Sequence, residues 1–329
     1  MVKMRRIRQR TLFLSIFFTV LVVSGCFFVS ATNDTDIAIQ VPINHIQEST
    51  YKIQSLIDEA NPFDTIIIPK GIYNQTLVIS QPLTLTSTNP LETIIDAHTP
   101  INQAAITIRS DQVYISNLTI RNSGPGLYTT GIRVLANKTT IDSCIIHHTS
   151  VGIAVWSSHN TISNCNFHRC NDEGIVLLNT SYLTCTYNTI VNCSFFYNCD
   201  AIELQQSSHN IISNCTMKYN THSGIDAIKN NNNHNIITAC TISENRVHGI
   251  YLSHSSYNII TSCTLDNNSD GDLIQHPQTT NFVIRRIPSN VESVLKEDVF
   301  SSFPRSNIYL LIQIIQQIRL NLISIFQIS

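Results

Sequence analysis

The chain has 329 residues, with 20 Lys and Arg against 22 Asp and Glu and a net charge of −2 with histidine neutral. Charged residues make up 13 %, well under the roughly 25 % of ordinary globular domains, and Asn, Thr, Ser and Ile fill the gap. A balance this close to neutral excludes the electrostatic footprint of a nucleic-acid binder.

The first ten residues carry Lys3, Arg5, Arg6, Arg8 and Arg10 and run directly into an apolar stretch over 11–31. A basic start followed by an apolar run is an export segment. Val29-Ser30-Ala31 offers a small-residue cleavage site, Val23-Ser24-Gly25-Cys26 is similar to a lipoprotein box, and retention as a membrane anchor is the third outcome. Each outcome places the rest of the chain outside the cytoplasm, in the periplasm, at the cell surface or beyond. The expected organisation is therefore a signal peptide or anchor over 1–31, one repeat domain over 32–285, and a linker with an amphipathic capping segment over 286–329.

Ile53, Leu56, Ile57 and Ala60 have helical spacing, with Ser49 or Thr50 as candidate N-caps. Short apolar alternations bounded by turn residues follow, at Asp64-Thr-Ile-Ile-Ile-Pro-Lys-Gly-Ile-Tyr73, Leu77-Val-Ile-Ser-Gln-Pro-Leu-Thr-Leu85, Thr93-Ile-Ile-Asp96 and Ala105-Ile-Thr-Ile108; these read as strands. From there a repeat takes over. Asn160-Thr-Ile-Ser-Asn-Cys-Asn-Phe167 returns as Asn188-Thr-Ile-Val-Asn-Cys-Ser-Phe195, Asn210-Ile-Ile-Ser-Asn-Cys-Thr-Met217, Asn235-Ile-Ile-Thr-Ala-Cys-Thr-Ile242 and Asn258-Ile-Ile-Thr-Ser-Cys-Thr-Leu265. Each copy leads to a Gly-Ile-x-apolar marker at Gly131, Gly152, Gly174, Gly224 or Gly249, with Ala201 replacing one glycine, so the step is 21 to 27 residues.

A period in this range with turn residues at fixed phase is a solenoid. Apolar residues alternate within short segments and keep no helical period, so each coil is built of strands. Three short strands per coil predict an all-β fold, a right-handed parallel β-helix whose open end the N-terminal helix covers. Equivalent positions then stack about 4.8 Å apart. Asn160, Asn188, Asn210, Asn235 and Asn258 become a corner ladder, with the Asn in the left-handed region and its amide bonding the amide above. Cys144, Cys165, Cys193, Cys215, Cys240 and Cys263 become an inward column of free thiols, small and apolar.

The opening strands, together with Val113-x-Ile-x-x-Leu-Thr-Ile-Arg-Asn-Ser-Gly124, resemble the NosD-type β-helix proteins of the pectin-lyase-like superfamily over about 53–272. The resemblance implies the β-helix fold. It leaves function open, because that fold carries polysaccharide lyases, hydrolases, epimerases, surface adhesins and the copper-delivery protein NosD itself.

Candidate site residues follow from the columns. In the Gly-Ile-x-apolar strand the x residue points outward, and the column reads Arg133, Ala154, Val176, Glu203, Asp226, Tyr251. Glu203 and Asp226 are thus outward neighbours and the candidate catalytic pair, since retaining glycosidic chemistry wants carboxyls about 5–5.5 Å apart. Glu173, Asp200 and His248 at the preceding corner, with Lys229 and Tyr251, complete a candidate ligand-binding set, and the same acids suit Ca²⁺ bridging an acidic sugar. His209 and His234, one coil apart, are the candidate metal pair, and the NosD resemblance makes copper the natural ion. The acidic motifs of polygalacturonase-like hydrolases are absent, as is a lyase-type Lys/Arg cluster. The resulting expectation is a secreted or cell-surface protein that binds extracellular polysaccharide or is structural in the cell envelope, reaching the membrane, if at all, through its N-terminal segment. The alternatives are an enzyme acting on polyuronides and a periplasmic copper-delivery protein. Eight Asn-x-Ser/Thr sequons, at Asn33, Asn74, Asn117, Asn137, Asn179, Asn192, Asn214 and Asn267, are further candidate modification sites.

Overall fold

The computed structural model describes residues 48–284 except 125, 127, 128 and 278; the expected export segment and the C-terminal capping segment lie outside the described residues. Within them the repeat becomes a parallel β-solenoid of about nine turns. Three parallel sheets run its length: ten strands from Thr65–Ile67 to Phe282–Ile284, nine from Gly71–Tyr73 to Thr264–Asp266, and nine from Leu77–Ile79 to Gly271–Gln275. Every coil contributes one strand to each sheet, in that order. Among the described residues no helix is long and apolar enough to cross a membrane.

The strands are short because each corner needs a residue in the left-handed region. One set stands just before the cysteine column, at Asn117, Ser143, Asn164, Asn192, Asn214, Ala239 and Ser262; another follows the second-sheet strand, at His148, Arg169, Tyr197, Tyr219 and Glu244. At the third corner the structure corrects the sequence expectation. The left-handed residues are His159, Tyr187, His209, His234 and Tyr257, each immediately before a ladder Asn. Turning the chain there sends the aromatic ring outward and frees the Asn that follows to face inward.

That Asn is fully buried. Asn160 Nδ2 donates to Asn188 Oδ1 (3.0 Å), Asn188 to Asn210 (3.2 Å) and Asn210 to Asn235 (3.0 Å), while the backbone N–H of each donates to the same oxygen at 2.9 Å. A buried amide left unpaired costs about 1–3 kcal/mol, so the ladder converts a liability into a tie between coils. A second ladder, not anticipated from the sequence, joins Asn198, Asn220, Asn245 and Asn268 five residues after each column cysteine.

Inside, Ile, Leu, Val and Phe of the three sheets form one continuous core. The marker glycines of the third sheet are there for close approach. A Cβ on Gly174 would meet Phe195 Cδ1 at 2.6 Å, and one on Gly152 would meet Phe167 Cδ1 at 2.9 Å. Ala201 is accommodated where the next coil presents the unbranched Met217 in place of a phenyl ring. The six column cysteines face the interior, and all nine cysteines of the described residues are free thiols. Burial pushes the thiols of Cys170 and Cys185 up to about 12, which keeps them protonated and unreactive.

The first coil is closed by the helix Ile53–Glu59, shorter than expected and without a side-chain cap, Lys52 standing at the N-cap. Ser49 instead gives its backbone N–H to Ile72 O (2.8 Å), pairing the edge of the second sheet. Ile53 and Ile57 enter the core. Gln54 imitates a strand, accepting from Val78 N (2.8 Å) and donating to Val78 O (3.1 Å), and Gln75 Oε1 accepts the first helical N–H, from Ile53 (3.0 Å). The exposed edge of the third sheet is thereby satisfied without another strand.

Two outcomes test this architecture. Asn210→Ala removes the acceptor for two Asn188 donors and is expected to cost ~1–3 kcal/mol, read as a lower urea midpoint; an unmoved midpoint would show that the ladder carries no stability. Titration of the unfolded, unreduced protein is expected to recover all six column thiols, and a shortfall would place a disulfide in the column.

Candidate functional site

The outward face of the third sheet holds the expected column in register. Val176 pairs with Glu203, Glu203 with Asp226, and Asp226 with Tyr251. Glu173 pairs with Asp200 three residues earlier on the same two strands. His222 reaches both Asp200 and Asp226, so the corner carboxyl of Asp200 turns to the same side as the strand carboxyl of Asp226. Four acids from three adjacent coils thus share one patch, and all are buried, with relative exposures of 7 % for Glu173, 6 % for Asp200 and 5 % for both Glu203 and Asp226.

His222, absent from the sequence-derived set, connects them. Its Nδ1 lies 2.8 Å from Asp200 Oδ1 and 3.6 Å from Asp226 Oδ2. The backbone fixes its position: His222 N donates to Cys199 O (2.9 Å), and Val247 N donates to His222 O (2.8 Å). Asp200 Oδ1 also accepts the N–H of Ser223 (2.7 Å). The signal for His222 was present in the sequence, two residues before Gly224, in the column that holds Asp172 before Gly174 and Cys199 before Ala201.

The remaining predicted residues ring the patch. Gln205 donates to Glu203, and Lys229 donates to Gln205, so the lysine reaches the acids through an amide. His248 stacks on Tyr251 with ring centroids 5.0 Å apart and meets His222 edge-on at 6.4 Å. His209 and His234 lie apart from this set, in the aromatic stack His159, Tyr187, His209, His234, Tyr257, where they face each other at 5.0 Å.

Proton affinities follow from burial and like charge. Burial and the nearby Glu203 push Glu173 up to about 10. Burial, with Asp200 and Glu203 nearby, pushes Asp226 up to about 7 against the opposing pull of His222. Asp200 is raised by burial, although His222 and the Ser223 N–H draw it back. For His222, burial is outweighed by Asp200, Asp226 and Glu203, and its affinity for a proton rises. The patch therefore raises the proton affinity of Glu173, Asp200, Asp226 and His222 together. Its donor set, two carboxylates and an imidazole, also fits a divalent cation, and Asp226 Oδ1 is buried with no partner. A thioether site for copper(I) is not available here, because Met217 lies in the core.

Comparison with known proteins agrees with this architecture. The sequence matches the right handed beta helix region family over residues 104–234 and the family described as periplasmic copper-binding protein (NosD) over residues 194–299. The structure is similar to an alginate lyase from Paenibacillus sp. str. FPU-7, at 15 % identity and TM-score 0.50, covering 69 % of this chain and 95 % of that one. It is also similar to the A-module of the Azotobacter vinelandii mannuronan C-5 epimerase AlgE4, at 14 % identity and TM-score 0.50, covering 70 % and 90 %. At these identities the likeness is one of fold. No curated protein matches the sequence. Fold and repeat together define a right-handed parallel β-helix repeat protein. Within that class, residues 194–299 are similar to the NosD family.

The raised affinity of Asp226 gives a pH signature. A carboxyl whose folded pKa lies above its unfolded value stabilises the fold fully below the unfolded pKa, and that stability is lost as pH rises towards the folded pKa. For Asp226 the window runs from 3.8 to about 7. Asp226→Asn is expected to match the parent's urea midpoint below this window and to exceed it increasingly across the window. Equal midpoints above the window would mean that Asp226 ionises without penalty.

Proposed function

We propose that the chain is an exported β-helix protein that binds an extracellular or envelope polysaccharide on the outward face of the third sheet, through the patch formed by Glu173, Asp200, Glu203, Asp226 and His222. The observation that carries this reading is the burial of four carboxyls on adjacent coils. Burying an ionised carboxylate costs several kcal/mol even after relaxation, and His222 is the one cationic partner in direct reach of the four among the described residues. Around the patch, Tyr251 and His248 offer a stacked aromatic surface, and Lys229 with Gln205 offers donors to sugar hydroxyls. A patch rich in carboxylates repels an anionic chain, so a neutral glycan, or a uronate chain bridged by a cation, is the ligand it favours.

A second reading has one specific observation in its favour. Glu173 holds a proton beside Glu203 while Asp200 and His222 stand within reach, an acid and base pairing of the kind used on glycosidic bonds or on the acidic C–H of a uronate. In that case the protein turns polysaccharide over as well as binding it.

Purified protein screened against neutral and uronate polysaccharides, with and without added calcium, is expected to retain at least one of them. Glu203→Gln combined with Asp226→Asn is expected to abolish retention while leaving thermal stability equal or higher. Release of new reducing ends or unsaturated products would support the enzymatic reading. Full retention by the double variant would exclude this patch as the binding site.

A further inference from the structure

We propose that Asp200, His222 and Asp226 form a binding site for a divalent first-row transition-metal ion such as Zn²⁺ or Cu²⁺. Three donor atoms, one from each side chain, lie within 4.8 Å of one another. Ligands each about 2.0–2.2 Å from one ion lie roughly 3–3.5 Å apart, and the two separations from His222 Nδ1, 2.8 and 3.6 Å, bracket that range. The third pair, the carboxylate oxygens of Asp200 and Asp226, lies within 4.8 Å.

An independent observation points to a ligand. Asp226 is 5 % exposed, and its Oδ1 has no hydrogen-bond partner. Buried polar oxygens almost always have one, and an ion held beside Oδ2, the oxygen 3.6 Å from His222 Nδ1, would satisfy this carboxylate. The surroundings are built to hold the donors still. The N–H of Ser223 fixes Asp200, and backbone bonds on both sides fix the turn carrying His222, as the outer shell of a metal site does. His222 keeps 41 % of its side chain exposed, which gives an ion a path in.

The donor types select the ion. Ca²⁺ takes six to eight oxygens, and Mg²⁺ keeps an octahedral shell of oxygen and water; an imidazole between two carboxylates suits Zn²⁺ or Cu²⁺, with Cu²⁺ the tighter by the general affinity order. The inward thiols and Met217 face the core, so the donors facing the patch from these three residues are oxygen and nitrogen. The three residues fall within the stretch that matches the copper-binding family, although the inference stands on the donors themselves and does not depend on the polysaccharide reading.

The test is a titration of the full chain, stripped with chelator, by Zn²⁺ and separately by Cu²⁺, followed by calorimetry and by the metal-induced rise in melting temperature. The expected result is one ion per chain at this site, not displaced by excess Ca²⁺ and lost in both His222→Gln and Asp226→Asn. His209→Gln combined with His234→Gln is expected to retain it. His222 is exposed enough for its variant to fold, and the melting temperature of each metal-free variant confirms that. Absence of binding by the parent, or binding that survives His222→Gln and Asp226→Asn, would overturn the proposal. A protein that holds the ion but retains no glycan would keep this inference and lose only the polysaccharide reading.

Discussion

The spacing between coils governs this molecule. Parallel strands stacked at about 4.8 Å force every side chain to sit directly on its counterpart from the neighbouring coil, so a residue type is acceptable only if it tolerates its own kind as a neighbour. Aliphatic chains and phenyl rings do so inside, as in the Phe167 and Phe195 pair at 4.8 Å. Amides do so at the two buried corners, because Asn carries both a donor and an acceptor and can serve the coil above and the coil below at once. Planar rings do so outside, in the stack from His159 to Tyr257. Carboxylates do not. Their appearance on adjacent coils, buried, departs from the stacking of like on like that the core and the Asn ladders follow.

That departure is why the third-sheet patch stands out from the other polar features. The second sheet also carries charged and histidine side chains, but there the charges are matched: Asp96 is held by Arg121 at 2.7 Å, by Asn122 at 2.8 Å and by His98 at 3.0 Å. On the third sheet four carboxyls are served by one histidine, one backbone N–H and a lysine acting through Gln205. The balance is reached by retaining protons, which is how perturbed groups accumulate at functional sites.

Most of the architecture was legible because a repeat turns sequence phase into position. The glycine markers fixed the third-sheet strands, and from them the neighbouring places of Glu203, Asp226 and Tyr251 followed without tertiary information. Corners were less legible, since a residue there can point either way. The phase of Asn210 marked a corner, but only the backbone shows that His209 takes the left-handed conformation and that the Asn faces inward. The ladder through Asn198, Asn220, Asn245 and Asn268 escaped notice because Cys170 and Thr149 hold the same phase in earlier coils. His222 was missed for a related reason: its column contains Ser150, Asp172, Cys199 and Val247, and no shared chemistry draws attention to it. The helix cap was misjudged because Gln54 and Gln75 from different segments do work that Ser49 or Thr50 does in isolated helices.

The central claim is that neighbouring buried carboxyls on the third sheet hold protons that ordinary carboxyls release. Carbon-13 NMR titration of the side-chain carboxyls, with assignment by single Asp→Asn and Glu→Gln variants, measures this directly. The account predicts that Asp226 titrates near 7 and that Glu173 stays protonated to about 10. Titration of both in the ordinary range, near 3.8 for Asp226 and 4.5 for Glu173, would contradict it.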